Sequence, residues 1–191
     1  IALHKELENA LLEQRYPDPE KMPSGCDKLP PGLFDYLLKL EARQPDEQVR
    51  VTPELAYAMN IHGQPTHWSS PTAVLRGKID LAVEYFPAPK PATALDIDWK
   101  TGKVRPDSLQ ADCYAALNWA HGIEHTRFRW VYVEHGEARS EDVRGVDAWP
   151  RVTALIHKAE NERKDPVPRQ SFFCRYCPVS WCEFNENPEV E

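Results

Sequence analysis

Two short apolar stretches, each carrying isolated carboxylates, constrain this chain more than any other feature. In LRGKIDLAV, Asp80 lies inside an apolar run, and in ALDIDWKTG, Asp98 lies between Ile97 and Trp99. The apolar and β-branched content of both stretches predicts two strands. An unpaired carboxylate in such a strand costs free energy. We therefore expect Asp80 and Asp98 to have partners or a bound cation.

The second stretch places Asp96, Asp98 and Lys100 at alternate positions, so one strand face carries all three. This face has two interpretations, a solvated salt-bridged strand or a metal site. Mg²⁺ and Mn²⁺ prefer oxygen ligands, and a lysine beside such a site stabilises charge that develops on a phosphate. The spacing of Asp98 and Lys100 fits metal-assisted phosphodiester hydrolysis, although a D-x-K triplet alone favours the ordinary surface pair. Alternation does not choose between the two aspartates.

The rest of the chain predicts helices that cover a sheet. The fold class is α/β or α+β, a mixed β-sheet flanked by helices, with one domain over residues 1–170 and a cysteine-rich tail over 171–191 packed on it. Helices are predicted over 2–16, 32–43, 106–122 and 147–164, and strands over 48–59, 73–86, 93–101 and 126–136.

Composition narrows the function classes. The net charge is −7, which argues against nucleic-acid binding by bulk attraction alone. Residues 61–131, which hold both aspartates, are the least acidic part, with 8 Lys/Arg and 7 Asp/Glu. No apolar run is long enough for a bilayer, and the sequence contains neither a P-loop nor an H-E-x-x-H motif. The opening at Ile1, without a signal-peptide pattern, leads us to expect a cytoplasmic fragment of a longer protein.

Three ordered motifs carry a family resemblance. G-x-h-D appears as Gly77 to Asp80, h-D-x-K-T-G as Ile97 to Gly102, and Q-x-x-x-Y as Gln110 to Tyr114. Together they resemble the PD-(D/E)xK nucleases of the RecB-like exonuclease family. The upstream helical block ALHKELENAL and the strand VTPELAY are similar to further blocks of that family. The resemblance implies a restriction-endonuclease-like fold.

The resemblance also implies roles for individual side chains. His4, Asp80 and Asp98 would ligate Mg²⁺ or Mn²⁺, and the Trp99 backbone carbonyl would be a further ligand. Lys100 would be the catalytic lysine, Gln110 and Tyr114 would line the site and touch the substrate, and Glu54 would support it through a water or a second metal. Asp96 becomes a flanking residue that pairs with a basic neighbour such as Lys78.

The C-terminal tail holds Cys174, Cys177 and Cys182 in the pattern C-x2-C-x4-C. Three thiols suit zinc or an iron–sulfur cluster but need a fourth ligand. The trio resembles the C-terminal cysteines of a RecB-like branch that holds a 4Fe-4S cluster, whose fourth cysteine lies upstream of the histidine block. Cys26 follows that block and matches poorly, and Cys113 is expected to be a small core residue. Reduced cysteines without metal are the other interpretation.

The function expected from these residues is a Mg²⁺- or Mn²⁺-dependent deoxyribonuclease. An exonuclease is favoured, acting on DNA ends or single strands in recombination, repair or phage DNA metabolism. A helicase or recombination protein would be its partner, and no membrane would be involved. Two alternatives stay open: a catalytically silent DNA- or partner-binding module that retains the nuclease fold, and a sequence-specific endonuclease.

Overall fold

A computed structural model describes residues 2–26, 28–41, 48–86 and 92–164. It forms two compact units, Ile1–Ala154 and Leu155–Glu191. The described part of the second unit, residues 155–164, is helical. The predicted domain boundary at residue 170, the cysteine trio and the predicted hairpin loop at 87–91 lie outside the described residues. No helix in the described part is long and apolar enough to cross a membrane.

The described residues form an α+β fold in which two α-helices precede three consecutive strands, and a third α-helix separates these from two further strands. The helices are α1 (Ala2–Leu12), α2 (Leu33–Glu41), α3 (Ser108–Ala120) and α4 (Gly145–Lys164); the strands are β1 (Val49–Asn60), β2 (Ala73–Tyr85), β3 (Ala92–Lys100), β4 (Ile123–Tyr132) and β5 (Glu137–Arg144). The strands form one sheet in the order β1-β2-β3-β4-β5. Only β3 and β4 are parallel, and α3 makes the crossover between them. The predicted fold class, a mixed sheet flanked by helices, is confirmed.

The sequence prediction missed β5. Its residues, EARSEDVR, are mostly charged, and Val143 is its one buried position. β5 is the edge strand beside β4. An edge strand with a polar sequence needs little apolar alternation, because its backbone pairs on one side only and its side chains meet water. The periodicity that reveals β1 to β4 is therefore absent here.

The two sheet faces are covered by different helices. Apolar side chains of α1 and α2 pack on one face against Leu81, Val83, Ile97 and Trp99. The opposite face lies under α3, which begins after Asp107, whose side chain accepts hydrogen bonds from the backbone N–H groups of Leu109 and Gln110. This cap sets where the first turn of α3, and with it Gln110, meets the sheet.

Gly77 permits the close approach of α3 to β2. A Cβ at this position would lie 2.5 Å from Leu117 Cδ1 and 2.8 Å from Tyr114 Cε1. Real Cβ atoms do not approach so closely, so any other residue would force the Leu117 and Tyr114 side chains of α3 to shift. Because α3 carries Gln110 and Tyr114, Gly77 also sets their height above the strands.

Replacement of Gly77 by valine should lower the free energy of unfolding by about 1–3 kcal/mol through overpacking. Chemical denaturation measures this change. The matched control is Ala56→Val on the neighbouring strand, at an exposed position paired with Lys78, where the effect should stay within about 0.5 kcal/mol. Equal effects of the two substitutions would contradict the packing argument.

Candidate metal-dependent active site

The candidate site lies where β2 and β3 separate. Their pairing ends at Leu81 and Ile97, while β3 remains paired with β4 as far as Lys100. Just beyond the last pair, the Asp80 carboxylate replaces a backbone partner: its Oδ2 accepts a hydrogen bond from the Trp99 N–H at 2.8 Å. The carboxylate thereby lies in the fork between the two strands, next to Asp98.

Glu54 on β1 flanks this fork in a left-handed backbone conformation, with φ of 55°. Such a conformation costs a non-glycine residue about 1–3 kcal/mol and is typical of functional sites. The sheet face on which odd-numbered side chains lie also differs along β1. Val51 packs in the core with α1 and α2, whereas Tyr57, also at an odd position, stacks on His121 just after α3.

The side chains of His4, Glu54 and Asp80 meet at the fork. Each offers one ligand atom, and the three atoms lie within 4.8 Å of one another. His4 Nδ1 is 3.4 Å from Asp80 Oδ1. These three residues come from α1, β1 and β2, so the fold, rather than a local motif, assembles them. One nitrogen and two carboxylates form a donor set that suits Mn²⁺ or Mg²⁺.

Lys78 forms an ion pair with Glu54 beside this group. A surface cavity of about 410 Å³ opens there, and its described lining residues are His4, Lys5, Glu8, Glu54, Lys78 and Asp80. The sequence predicted an ion pair between Lys78 and Asp96. This prediction is wrong, because Lys78 pairs with Glu54. The alternate spacing of Lys78 and Asp80 on one strand was the available signal for a lysine close to the fork.

Asp98 and Lys100 form the second half of the site. Lys100 Nζ lies 2.8 Å from Asp98 Oδ2, and the Gln110 amide donates a hydrogen bond to Asp98 Oδ1 at 2.9 Å. The Asp98 carboxylate is 13% exposed. Apart from the lysine, Oδ2 has no hydrogen-bond partner among the described residues. A buried carboxylate oxygen with capacity to spare is suited to a cation.

Two residues of α3 fix the strands around the site. Gln110, whose amide binds Asp98, also accepts a hydrogen bond from the Trp130 indole at 3.2 Å. That second bond fixes the orientation of the amide group, so that its NH₂ faces Asp98. Tyr114 donates to the Lys78 carbonyl oxygen at 2.8 Å and stacks on Phe128. It therefore anchors β2 immediately before Asp80.

Burial shapes the electrostatics of the site. It raises the pKa of Asp80, and the neighbouring Asp98 charge acts in the same direction, while the Trp99 N–H and His4 oppose the rise. A dication beside Asp80 would favour its ionised form. Burial also raises the pKa of Tyr114 to about 12, so its hydroxyl stays protonated and keeps its donor role at neutral pH.

Asp96 belongs to the interior, which corrects its predicted role as a flanking charge. It is fully buried under α3, where Asn118 donates to its Oδ2 at 2.8 Å and to Thr126 Oγ1 at 2.9 Å. Burial raises the pKa of Asp96 to about 8. Asp96 lies on the face of Asp98 but further from the fork, where the sheet is continuous and covered.

The structure therefore brings most of the predicted residues to one fork. His4, Glu54 and Asp80 share one ligand group, and Asp98, Lys100 and Gln110 are joined by direct contacts. Asp98 is outside the three-residue ligand group and adjoins it through Asp80. Their catalytic and ligand roles, including that of the Trp99 carbonyl, stay predictions. Glu54, expected in a supporting role, lies in the ligand group itself.

A comparison with models of protein families identifies the superfamily of this chain. A family model described as the PD-(D/E)XK nuclease superfamily matches residues 2–183. This chain belongs to that superfamily. Among solved structures, one titled "Crystal structure of SSO0001" is 18% identical and aligns over 81% of this chain and 72% of its own, with a TM-score of 0.40. No curated protein matches the sequence.

Members of this superfamily use divalent metal ions, and the fork fits such an ion. The imidazole of His4 and the carboxylates of Glu54 and Asp80 converge, and Asp98 Oδ2 is an under-satisfied buried oxygen nearby. The carboxylate oxygens are hard donors of the type that Mg²⁺ and Mn²⁺ select, and the His4 imidazole adds a softer nitrogen donor. The ion pair of Lys78 with Glu54 would compete with a cation for that carboxylate.

Lys78→Met should therefore tighten Mn²⁺ binding by about three- to ten-fold, because it removes a positive charge next to the ligand group. Calorimetric titration measures the dissociation constant. Glu54→Gln and His4→Gln should each weaken binding, and Lys103→Met, a change on the exposed loop after Gly102, should leave it unaltered. Weaker binding by Lys78→Met would show that Lys78 does not compete with the ion.

Proposed function

We propose that this protein is a Mg²⁺- or Mn²⁺-dependent deoxyribonuclease of the RecB-like type, and that it acts as an exonuclease. The observation that carries the proposal is the fork between β2 and β3. It joins a nitrogen-and-carboxylate group that fits a divalent cation to a carboxylate paired with a lysine at 2.8 Å. The ordered G-x-h-D, h-D-x-K-T-G and Q-x-x-x-Y motifs support the finer assignment.

In this proposal His4, Asp80 and Asp98 hold the cation, with Glu54 and the Trp99 carbonyl as further donors. The cation would supply Lewis-acid stabilisation of the phosphate and activation of water. Lys100, held by its ion pair with Asp98, would stabilise negative charge on the scissile phosphate. Gln110 would orient Asp98, and Tyr114 would fix the backbone of β2. Both would line the site and touch the substrate.

The substrate in this proposal is DNA, as ends or single strands. Such an activity belongs to recombination, repair or phage DNA metabolism in the cytoplasm of a cell or of a phage host, with a helicase or recombination protein as partner. Superfamily membership supports nucleic-acid cleavage. The exonuclease assignment rests on the RecB-like motif set.

Lys100→Met and Asp98→Asn should each reduce cleavage of linear DNA at least about 100-fold, because each removes stabilisation of the reacting phosphate. The assay compares end-labelled linear, closed circular and single-stranded DNA with Mg²⁺, Mn²⁺ or EDTA. Lys103→Met is the matched lysine control and should cleave normally. Closed circles should resist cleavage if the enzyme is an exonuclease.

Two results would contradict the proposal. Full activity of Lys100→Met would show that Lys100 has no catalytic role. Metal binding by the wild-type protein without any cleavage would favour the silent DNA- or partner-binding module.

We also propose that Cys174, Cys177 and Cys182 bind a 4Fe-4S cluster or zinc. Three thiolates at this spacing need a fourth ligand from elsewhere in the polypeptide. Elemental analysis and a visible spectrum of anaerobically purified full-length protein test this. Iron with visible absorbance that Cys177→Ser abolishes would support a cluster, zinc without absorbance would support a zinc site, and absence of both metals would contradict the proposal.

A further inference from the structure

A second cavity lies on the sheet face opposite α3, near the beginning of the parallel strands. Its volume is about 580 Å³. Its described lining comes from α2 and from β2 to β5, and it includes Tyr36, Tyr85, Leu95, Arg127, Arg129, Asp142 and Arg144. We name it the arginine groove. None of its lining residues belongs to the fork.

Strand alternation explains why arginines line this groove. Phe128 and Trp130 of β4 are buried on the α3 side. Arg127 and Arg129 alternate with them and therefore lie on the opposite face. Further along β4, Val131 occupies that face within the core made by α1 and α2. The strand thus changes from apolar to cationic side chains where that core ends.

The groove is cationic in an acidic protein. Three arginines and one carboxylate, Asp142, line it, and Arg144 also pairs with Asp147 at 2.7 Å, so Arg129 is the arginine without a carboxylate partner among the described residues; the whole chain carries a net charge of −7. Because the rest of the protein is acidic, this local positive charge attracts an anion to the groove rather than to other surfaces. The electrostatic complement of the groove is thus an anionic ligand.

The guanidinium groups of the groove are held in place. Arg127 binds Asp142 through two bonds, of 2.8 and 3.0 Å, and the Arg129 Nε donates to Ser140 Oγ at 3.1 Å. Neither arrangement uses all five donors of a guanidinium. The remaining N–H groups are oriented in advance, which lowers the entropic cost of binding a phosphate.

An aromatic ring lies beside these cations. Tyr36 is 42% exposed, and its hydroxyl is 2.8 Å from the hydroxyl of Tyr85, which holds the ring at the wall of the groove. Proteins that bind single-stranded nucleic acids combine exposed aromatic rings, on which bases stack, with cationic side chains that contact the phosphates. A lone inorganic anion has no base that could stack on the ring.

We propose that the arginine groove binds the backbone of single-stranded DNA outside the cleavage site. This inference rests on the proposed function, because it assigns the groove to the substrate of that site. Leu95 in the groove and Lys100 at the fork are five residues apart on β3, or about 17 Å at the rise of a strand. A strand longer than a few nucleotides is needed to occupy both places.

The test measures binding of labelled single-stranded oligonucleotides of 4 and 20 nucleotides, lengths chosen as roughly one and several site sizes. EDTA prevents metal-dependent cleavage. Arg127→Ala/Arg129→Ala should weaken binding of the longer strand about 10-fold at low salt and lower the salt slope by about 1.4, while binding of the shorter strand changes less. Arg129→Ala alone should give an intermediate loss and keeps the Arg127 ion pair that stabilises the sheet edge.

Arg139→Ala is the matched control. Arg139 lies on the neighbouring strand opposite Trp130, so its side chain projects on the α3 side, and its guanidinium pairs with Glu137 at 2.8 Å. Its loss should change binding less than two-fold. Circular dichroism and thermal unfolding of every variant confirm that the fold is retained.

Three outcomes would overturn the inference: unchanged binding in Arg129→Ala, equal losses in Arg129→Ala and Arg139→Ala, or competition by polyglutamate as effective as competition by DNA. The last outcome would assign the groove to acidic protein segments. Because binding is measured without metal, a failure of the proposed nuclease function is seen separately, as wild-type protein that does not cleave DNA with Mg²⁺ or Mn²⁺.

Discussion

The separation of β2 from β3 beyond the Leu81–Ile97 pair is the constraint on which the rest of the site depends. Continued pairing would leave no room for carboxylates between the strands and would satisfy the Trp99 N–H with a backbone oxygen. Because the strands part, Asp80 takes that N–H and lies next to Asp98. The two strands thus exchange ladder hydrogen bonds for a pair of carboxylates that the sheet holds rigidly.

Such an arrangement is unfavourable without compensation. Two neighbouring carboxylates repel, and burial raises the pKa of Asp80. The described structure offsets this with His4 and Lys100, one for each aspartate, and with the Gln110 amide. Glu54 adds backbone strain and a third carboxylate. A divalent cation at the fork would lower these costs, because its positive charge offsets the repulsion between the carboxylates.

Helices on both faces of the sheet contribute side chains to the fork. α1 brings His4 from one side, with its apolar residues packed in the larger core, and α3 brings Gln110 and Tyr114 from the other. Gly77 sets the distance at which α3 lies. The arginine groove occupies the part of the first face beyond this core, where β4 carries arginines instead of apolar side chains.

Much of the fold and of the candidate site was predictable from the sequence. Apolar periodicity predicted β1 to β4 and the four α-helices of the described residues, and the ordered motifs selected Asp80, Asp98, Lys100, Gln110 and Tyr114. β5 was missed because an exposed edge strand lacks that periodicity. Asp96 was misplaced because alternation reports the face of a strand but not the depth at which a helix covers it. The Lys78–Glu54 pair joins two strands, and its Glu54 has a left-handed backbone conformation. No sequence pattern predicts either feature.

The central claim is that the fork is a divalent-metal centre, and its most direct test is a crystal structure with Mn²⁺ and anomalous scattering. We expect an anomalous peak within about 2.0–2.4 Å of Asp80, Asp98 and His4 atoms, with the Lys78–Glu54 ion pair altered or broken. A fully occupied Mn²⁺ elsewhere in the protein, with the fork residues unchanged, would contradict the claim.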